Sequence, residues 1–274
     1  MKLSEAGEGK RMTSSVTYVF IGLLTISLIC IFLLLRSTSI SDDGSSEVAN
    51  STFFGAEIKG GRVCYVIDYS LSMSLLGRVD LMKEELVRSI AQLEGQAEFS
   101  MLFFAGPVWQ SSDKLVLSEG RHPIIINTIQ EDGEQVAWSG VSSVDSEELA
   151  KLKPKWVTPT AENIEKAQKE INDTPLVRGT DWGKPLYKAL ELDPTPEVIV
   201  FVTDGLSRDE KIIEEIGKIA NKKSIVVNTI ALMEPQARGP LVKLAGMTSG
   251  TAIMVEKDGK IIDLMQEGEA TAKK

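Results

Sequence analysis

Histidine and cysteine are almost missing from this 274-residue chain, which holds one histidine, His122, and two cysteines, Cys30 and Cys64. His122 stands in a loop between Gly120 and Pro123, so a serine or cysteine triad with an imidazole base is poorly supported and His122 reads as a surface residue. Cys30 falls in a long apolar run and Cys64 in a run that reads as a buried strand. The two therefore have no route to a disulfide and say little about redox compartment. Neither G-x-x-x-x-G-K-[ST] nor G-x-G-x-x-G opens the first helix, which removes the phosphate-cradling nucleotide sites. Internal repeats are absent. Positive charge is short: 30 Lys and Arg face 39 Asp and Glu, for a formal net charge of -9. The first 36 residues run the other way, with Lys2, Lys10, Arg11 and Arg36 against Glu5 and Glu8, so the remainder sits at about -11 by counting residues. An acidic body repels phosphates and anionic lipid, and nucleic acid is not an expected partner.

What is present is the composition of a globular protein, 43% hydrophobic and 25% charged, long enough for one domain of ordinary to large size with accessories. No charge interrupts residues 12–35, and residues 16–35 supply a mostly apolar run long enough to cross a hydrocarbon core of roughly 30 Å as a helix. A cleaved signal peptide has a shorter apolar core and ends in small residues, whereas this run ends Phe32-Leu33-Leu34-Leu35-Arg36. The expectation is a cytoplasmic tail over 1–14, an uncleaved single-pass anchor over 15–36 and a polar, Ser-rich tether over 37–59. Lys2, Lys10 and Arg11 before the helix, against Asp42, Asp43 and Glu47 after it, keep the N-terminus cytoplasmic and put the rest outside, periplasmic or extracellular. Sequons at Asn50 and Asn172 would matter only on a eukaryotic secretory route.

Beyond the tether, strands and helices alternate. Arg62-Val63-Cys64-Tyr65-Val66-Ile67 is a nearly continuous apolar run ending in Asp68, the pattern of a strand buried on both faces of a parallel sheet. Val79, Met82, Leu86, Ile90 and Leu93 then recur at helical spacing. Residues 97–105 form a second strand, and 115–117 or 124–126 a third. Helices follow over 160–171 and from 185, a strand over 198–202, a helix over 210–220, a strand over 224–231, a helix over 236–245 and a last strand over 251–255. This alternation predicts an α/β domain over 60–264, doubly wound, with a mostly parallel sheet, helices on both faces and ligands beyond the carboxyl ends of the strands. Residues 119–157 fit poorly and read as an excursion whose Trp138 and Trp156 serve local packing. Residues 265–274 are left as a tail.

Two segments carry oxygen-bearing side chains to the strand ends on the ligand side: Asp68-Tyr69-Ser70-Leu71-Ser72 and Thr203-Asp204-Gly205. A third lies in the loop Arg178-Gly179-Thr180-Asp181. Alternate residues of a D-x-S-x-S loop leaving a strand can turn the same way, so Asp68, Ser70 and Ser72 can converge on one point. Hard oxygen donors of this kind suit Mg²⁺ or Mn²⁺. Each residue alone has a blander reading: Asp68 as a strand-end turn, Asp204-Gly205 as a turn dipeptide, Asp181 as a helix cap. An Asp68 phosphotransfer nucleophile would want a second carboxylate two residues on, and Ser70 stands there.

Together and in order, these segments resemble the metal-ion-dependent adhesion site (MIDAS) of the von Willebrand factor type A (VWA) family, over roughly residues 60–262. The membrane-anchored layout is similar to that of bacterial VWA proteins. The resemblance implies a VWA/Rossmann-like fold and a metal site of Asp68, Ser70, Ser72, Thr180 and Asp204. It also implies that the hydroxyls bind the ion directly or nearly so, the aspartates often act through water, and an acidic group of a partner completes the shell. Leu71 replaces the usual glycine between the serines, and the excursion is larger than a simple VWA domain needs. The expected function is therefore a membrane-anchored, non-enzymatic module, in a bacterial envelope, that captures an Asp or Glu of a partner protein through Mg²⁺ or Mn²⁺. The alternatives are a metal-independent scaffold of an envelope complex and a metal-dependent hydrolase.

Overall fold

A computed structural model describes residues 50–93, 97–138, 146–206 and 209–266. The expected tail over 1–14, the spanning helix over 15–36, residues 37–49 of the tether and Cys30 lie outside the described residues. Among those described, no helix is long and apolar enough to cross a membrane.

The described chain opens with a hairpin of β1 (Asn50–Phe53) and β2 (Ala56–Lys59). β3 (Arg62–Asp68), a 3-10 stretch (Leu71–Gly77), α1 (Arg78–Ala91), β4 (Glu98–Phe104) and β5 (Val108–Gln110) follow. Next come β6 (Lys114–Leu117), β7 (Ile125–Ile129), β8 (Gln135–Ala137), α2 (Ser146–Lys151), α3 (Ala161–Asp173) and α4 (Gly183–Leu190). The last part is β9 (Val198–Thr203), α5 (Glu210–Lys222), β10 (Val226–Leu232), a 3-10 turn (Pro235–Ala237), α6 (Arg238–Met247), β11 (Ala252–Val255) and β12 (Ile261–Asp263).

The main sheet has seven strands in the order β12-β11-β10-β9-β3-β4-β5, parallel from β11 to β4, with an antiparallel strand at each edge. β3, β4 and β9 are buried along almost their whole length, which is why their sequences are nearly unbroken apolar runs. From β3 the chain steps outward to β4, then returns past β3 to β9 and proceeds the opposite way through β10 and β11. Right-handed crossovers on that path put α1 on one face and α5 and α6 on the other. The helix contacts agree, since α1 packs on α3 while α5 packs on α4 and α6. The succession reverses between the neighbours β3 and β9, and a doubly wound sheet opens its ligand crevice at the carboxyl ends of such a pair.

Three sequence expectations need correction. Residues 50–59, assigned to a flexible tether, form the β1–β2 hairpin, with Phe53 and Ile58 fully buried. Its face is apolar at alternate positions, and the Ser-rich stretch before it hid that period. The hairpin is fastened to α1: Ser51 Oγ donates to Ser89 O at 2.8 Å, Thr52 N to Gln92 Oε1 at 3.0 Å and Phe54 N to Glu85 Oε1 at 2.5 Å. Neither candidate for the third strand joins the main sheet. β6 and β7 pair with β8 in a separate antiparallel sheet, so the excursion begins at Lys114 rather than at residue 119. The strand that does follow β4 is β5, because a tight turn closed by Ala105 N donating to Pro107 O at 3.0 Å folds the chain straight back. Within the excursion Trp138 is buried, and Trp156 Nε1 donates to Pro194 O at 2.9 Å.

Candidate metal centre

β3 and β9 lie side by side in parallel, with Ile67 opposite Val202, so Asp68 and Thr203-Asp204-Gly205 leave the sheet at the same edge. The chain beyond β3 is then clamped on both sides. Tyr69 N donates to Phe104 O at 2.7 Å, Val177 N to Tyr69 O at 3.0 Å, and Leu71 N to Val177 O at 2.9 Å. That last pair of bonds zips residues 69–71 to the strand-like segment at Val177 and draws the Gly179-Thr180-Asp181 loop to the same edge. Asp181 N, donating to Ala105 O at 2.8 Å, anchors the loop's far end.

Four of the five expected ligands form one hydrogen-bonded line. Asp68 is fully buried; its Oδ1 accepts from Ser70 N at 2.8 Å and its Oδ2 from Thr203 Oγ1 at 2.7 Å. Ser70 Oγ lies 2.9 Å from Ser72 Oγ, and Ser72 Oγ donates to Asp204 Oδ1 at 2.8 Å. A hydroxyl has one proton to give, so with that of Ser72 committed to Asp204 the proton between the serines comes from Ser70. Burial pushes the Asp68 carboxyl up to about 7, the Asp204 charge adds to the shift, and the bonds from Ser70 and Thr203 oppose it.

Thr180 stands apart from the line. It is exposed, and its Oγ1 donates to Gly179 O at 2.7 Å rather than to any of the other four. It nevertheless borders them: a Cβ added at Gly205 would come 2.7 Å from Thr180 Cγ2 and 3.7 Å from Asp68 Oδ2. Glycine at 205 is what lets the Thr180 methyl lie against the strand end. Asp181 Oδ1 accepts from Gly183 N at 2.8 Å, just ahead of α4, whose N-cap position is Trp182, and burial raises its carboxyl. Leu71, in place of the usual glycine, has no left-handed φ; that conformation falls on Leu76 and Gly77, at 59° and 75°.

Two residues that the motif reading left out belong to the cluster. Thr203 ties Asp68 to the opposite strand and also accepts from Gly205 N at 2.9 Å. Its position inside Thr203-Asp204-Gly205 was the available signal. Arg78 is the other: Nη1 donates to Asp204 Oδ2 at 2.6 Å and Nη2 to Met233 O at 2.9 Å. The sequence signal for Arg78 is faint, a basic residue in the first turn of α1, where the helix dipole disfavours it.

The donor chemistry fits a small divalent cation. Asp68, Ser70, Ser72 and Asp204 present hard oxygens only, and two carboxylates are held in one buried cluster where a cation is electrostatically favoured. Among the described residues no group of three or more His, Cys, Asp or Glu could hold a metal, so binding here must draw on hydroxyls.

No protein-family model matches the chain, and no curated protein matches it. Solved structures do. The von Willebrand factor type A structure from Catenulispora acidiphila superposes with a TM-score of 0.51 at 14% identity, over 80% of this chain and 42% of that one. This chain therefore spans about two fifths of that protein's length. BatB from Bacteroides thetaiotaomicron, at 15% identity over 78% of this chain and all of its own, gives a TM-score of 0.47. Proximal thread matrix protein 1 from the mussel byssus, with a zinc occupied MIDAS motif, also gives 0.47, at 15% identity over 72% of this chain and 42% of that one. The last two superpose too loosely to carry weight, and identities this low speak to fold alone. The strand order, the reversal between β3 and β9 and the superposition agree: the described domain has the von Willebrand factor type A fold.

Proposed function

We propose that this domain is a divalent-metal-dependent protein-binding module, not an enzyme, tethered outside the cell membrane by an N-terminal helix, and that it captures an Asp or Glu of a partner protein. The carrying observation is the line of oxygens from Asp68 and Ser70 through Ser72 to Asp204 at the switch point of the sheet. Asp68, Ser70, Ser72, Thr180 and Asp204 would hold Mg²⁺ or Mn²⁺, and the bound ion would supply an electrophilic position for a partner's carboxylate. Ser70 and Ser72 are neutral donors, so the cluster offers two carboxylates and no surplus of negative charge to saturate the ion. Ser70 N and Thr203 fix both oxygens of Asp68. Around this edge Leu75, Leu76 and Leu206 are 58%, 53% and 39% exposed, an apolar rim suited to a protein surface.

The Arg78–Asp204 ion pair favours a second reading, a scaffold that needs no metal, because Asp204 already has a cation. One experiment separates the two. The 274-residue chain in detergent is titrated with Mn²⁺ by calorimetry, then melted in Mg²⁺, Mn²⁺ or EDTA. An ion bound only by the folded state raises stability by about 2.7 kcal/mol at a hundredfold excess over Kd. Binding with a matching rise in Tm, and partner retention that EDTA reverses, supports the metal-dependent module. Absence of binding and identical melting in all three buffers supports the scaffold.

A further inference from the structure

We propose that Arg78 is a built-in counter-ion of this site, pairing with Asp204 in the metal-free protein and setting a low affinity for divalent ions. The inference rests on the metal-binding reading above.

The guanidinium is placed where its charge needs Asp204. Its side chain is 9% exposed and that of Asp204 not at all, at a separation of 2.6 Å. Nη2 finds only a carbonyl, Met233 O, and Nε is buried without a hydrogen-bond partner. A buried cation is costly unless paired, and Arg78 also begins α1, at the positive end of the helix dipole. Leu76 and Gly77, both left-handed, turn the chain just before it, so that the first side chain of α1 reaches across to β9. Viewed from Asp204, both carboxylate oxygens are occupied by protein donors, Ser72 on Oδ1 and Arg78 on Oδ2. Any divalent ion held by Asp204, directly or through water, therefore arrives within one carboxylate's width of a fixed positive charge. The ion must outweigh that charge or displace it.

The test uses the 274-residue chain in detergent, as parent, Arg78→Gln and Arg78→Lys, titrated with Mn²⁺ by calorimetry and melted in EDTA. A unit charge opposing a divalent ion across a few ångströms is worth at least about tenfold in affinity. Arg78→Gln is expected to bind Mn²⁺ at least about tenfold more tightly than the parent and to melt lower in EDTA, while Arg78→Lys, which keeps the charge, stays near the parent affinity. Tighter binding by Arg78→Gln than by the parent supports the inference. Equal affinity in the parent and Arg78→Gln overturns it and leaves the metal site standing. No Mn²⁺ binding by any of the three overturns both. Should Arg78→Gln fail to fold, the parent decides: the guanidinium NMR signals of Arg78 shift on saturation with Mg²⁺, and signals that stay fixed at saturation overturn the inference.

Discussion

At the scale of single residues, the cluster divides into groups that would touch an ion and groups that hold them. Ser70 and Ser72 lie in the first class. Replacing both with Ala is expected to weaken Mn²⁺ binding at least about tenfold while the metal-free melting temperature changes little, since each loses only a hydrogen bond of about 1 kcal/mol net. Calorimetry and melting in EDTA check the two halves. Gly205 belongs to the second class. Gly205→Ala puts a Cβ 2.7 Å from the Thr180 methyl, so the Thr180 loop must shift, and the expected outcome is weaker Mn²⁺ binding in a folded protein. Unchanged affinity in this variant removes Thr180 from the site. Asp113, away from the cluster, gives a pH signature. Burial, with Glu131, Asp132 and Glu170 adding, raises its carboxyl from 3.8 to about 7. The folded state then holds more protons than the unfolded one between those values, so this group contributes stability below pH 4 that is lost as pH rises through 7. Asp113→Asn should match the parent near pH 4 and exceed it by about 1 kcal/mol at pH 8 in urea unfolding, a figure reduced because the side chain is partly exposed.

Among the elements, the hairpin is the least expected and the easiest to test. Phe53 is fully buried and its ring centroid lies 6.1 Å from that of Tyr65 on β3, while Ser51, Ser89 and Tyr65 share a chain of hydroxyl contacts at 2.8 to 2.9 Å. Phe53→Ala is expected to cost about 3–5 kcal/mol in urea unfolding, the usual range for emptying a buried aromatic site. A loss near zero would show that the hairpin adds little to the stability of the domain. The 3-10 stretch behaves oppositely. Leu75 and Leu76 are exposed, and Leu76 holds a left-handed φ, so their replacement by Ser should leave stability within about 0.5 kcal/mol and act on partner retention alone.

For the whole molecule, the membrane arrangement is the prediction with the widest consequences. Lys10 and Arg11 before the apolar run lead to the expectation that the domain lies outside. Protease added to intact cells, or to spheroplasts where an outer membrane intervenes, should remove the VWA-fold domain and spare the N-terminal tail. A protected domain in that assay refutes the topology and returns the site to a cytoplasmic partner.

The sequence by itself determined the elements whose pattern is local. The apolar runs of β3, β4 and β9, the helical stripe of Met82, Leu86 and Ile90, and the order of D-x-S-x-S, Thr and T-D-G could all be read along the chain, because strand burial and helix faces follow from spacing. So could convergence of Asp68, Ser70, Ser72 and Asp204, given strands that run parallel. Only the tertiary structure decided which strands neighbour one another. That choice turned residues 114–137 into a separate sheet, brought β5 back against β4 and folded residues 50–59 onto α1, since pairing partners are selected by contacts far apart in sequence. It also decided the charge of the site. Arg78 is ten residues from Asp68 and 126 from Asp204, and no periodicity links them. The helix start at Gly77-Arg78 and the adjacency of β3 to β9 bring that guanidinium to the carboxylate, and the proposed balance between metal and arginine rests on that meeting.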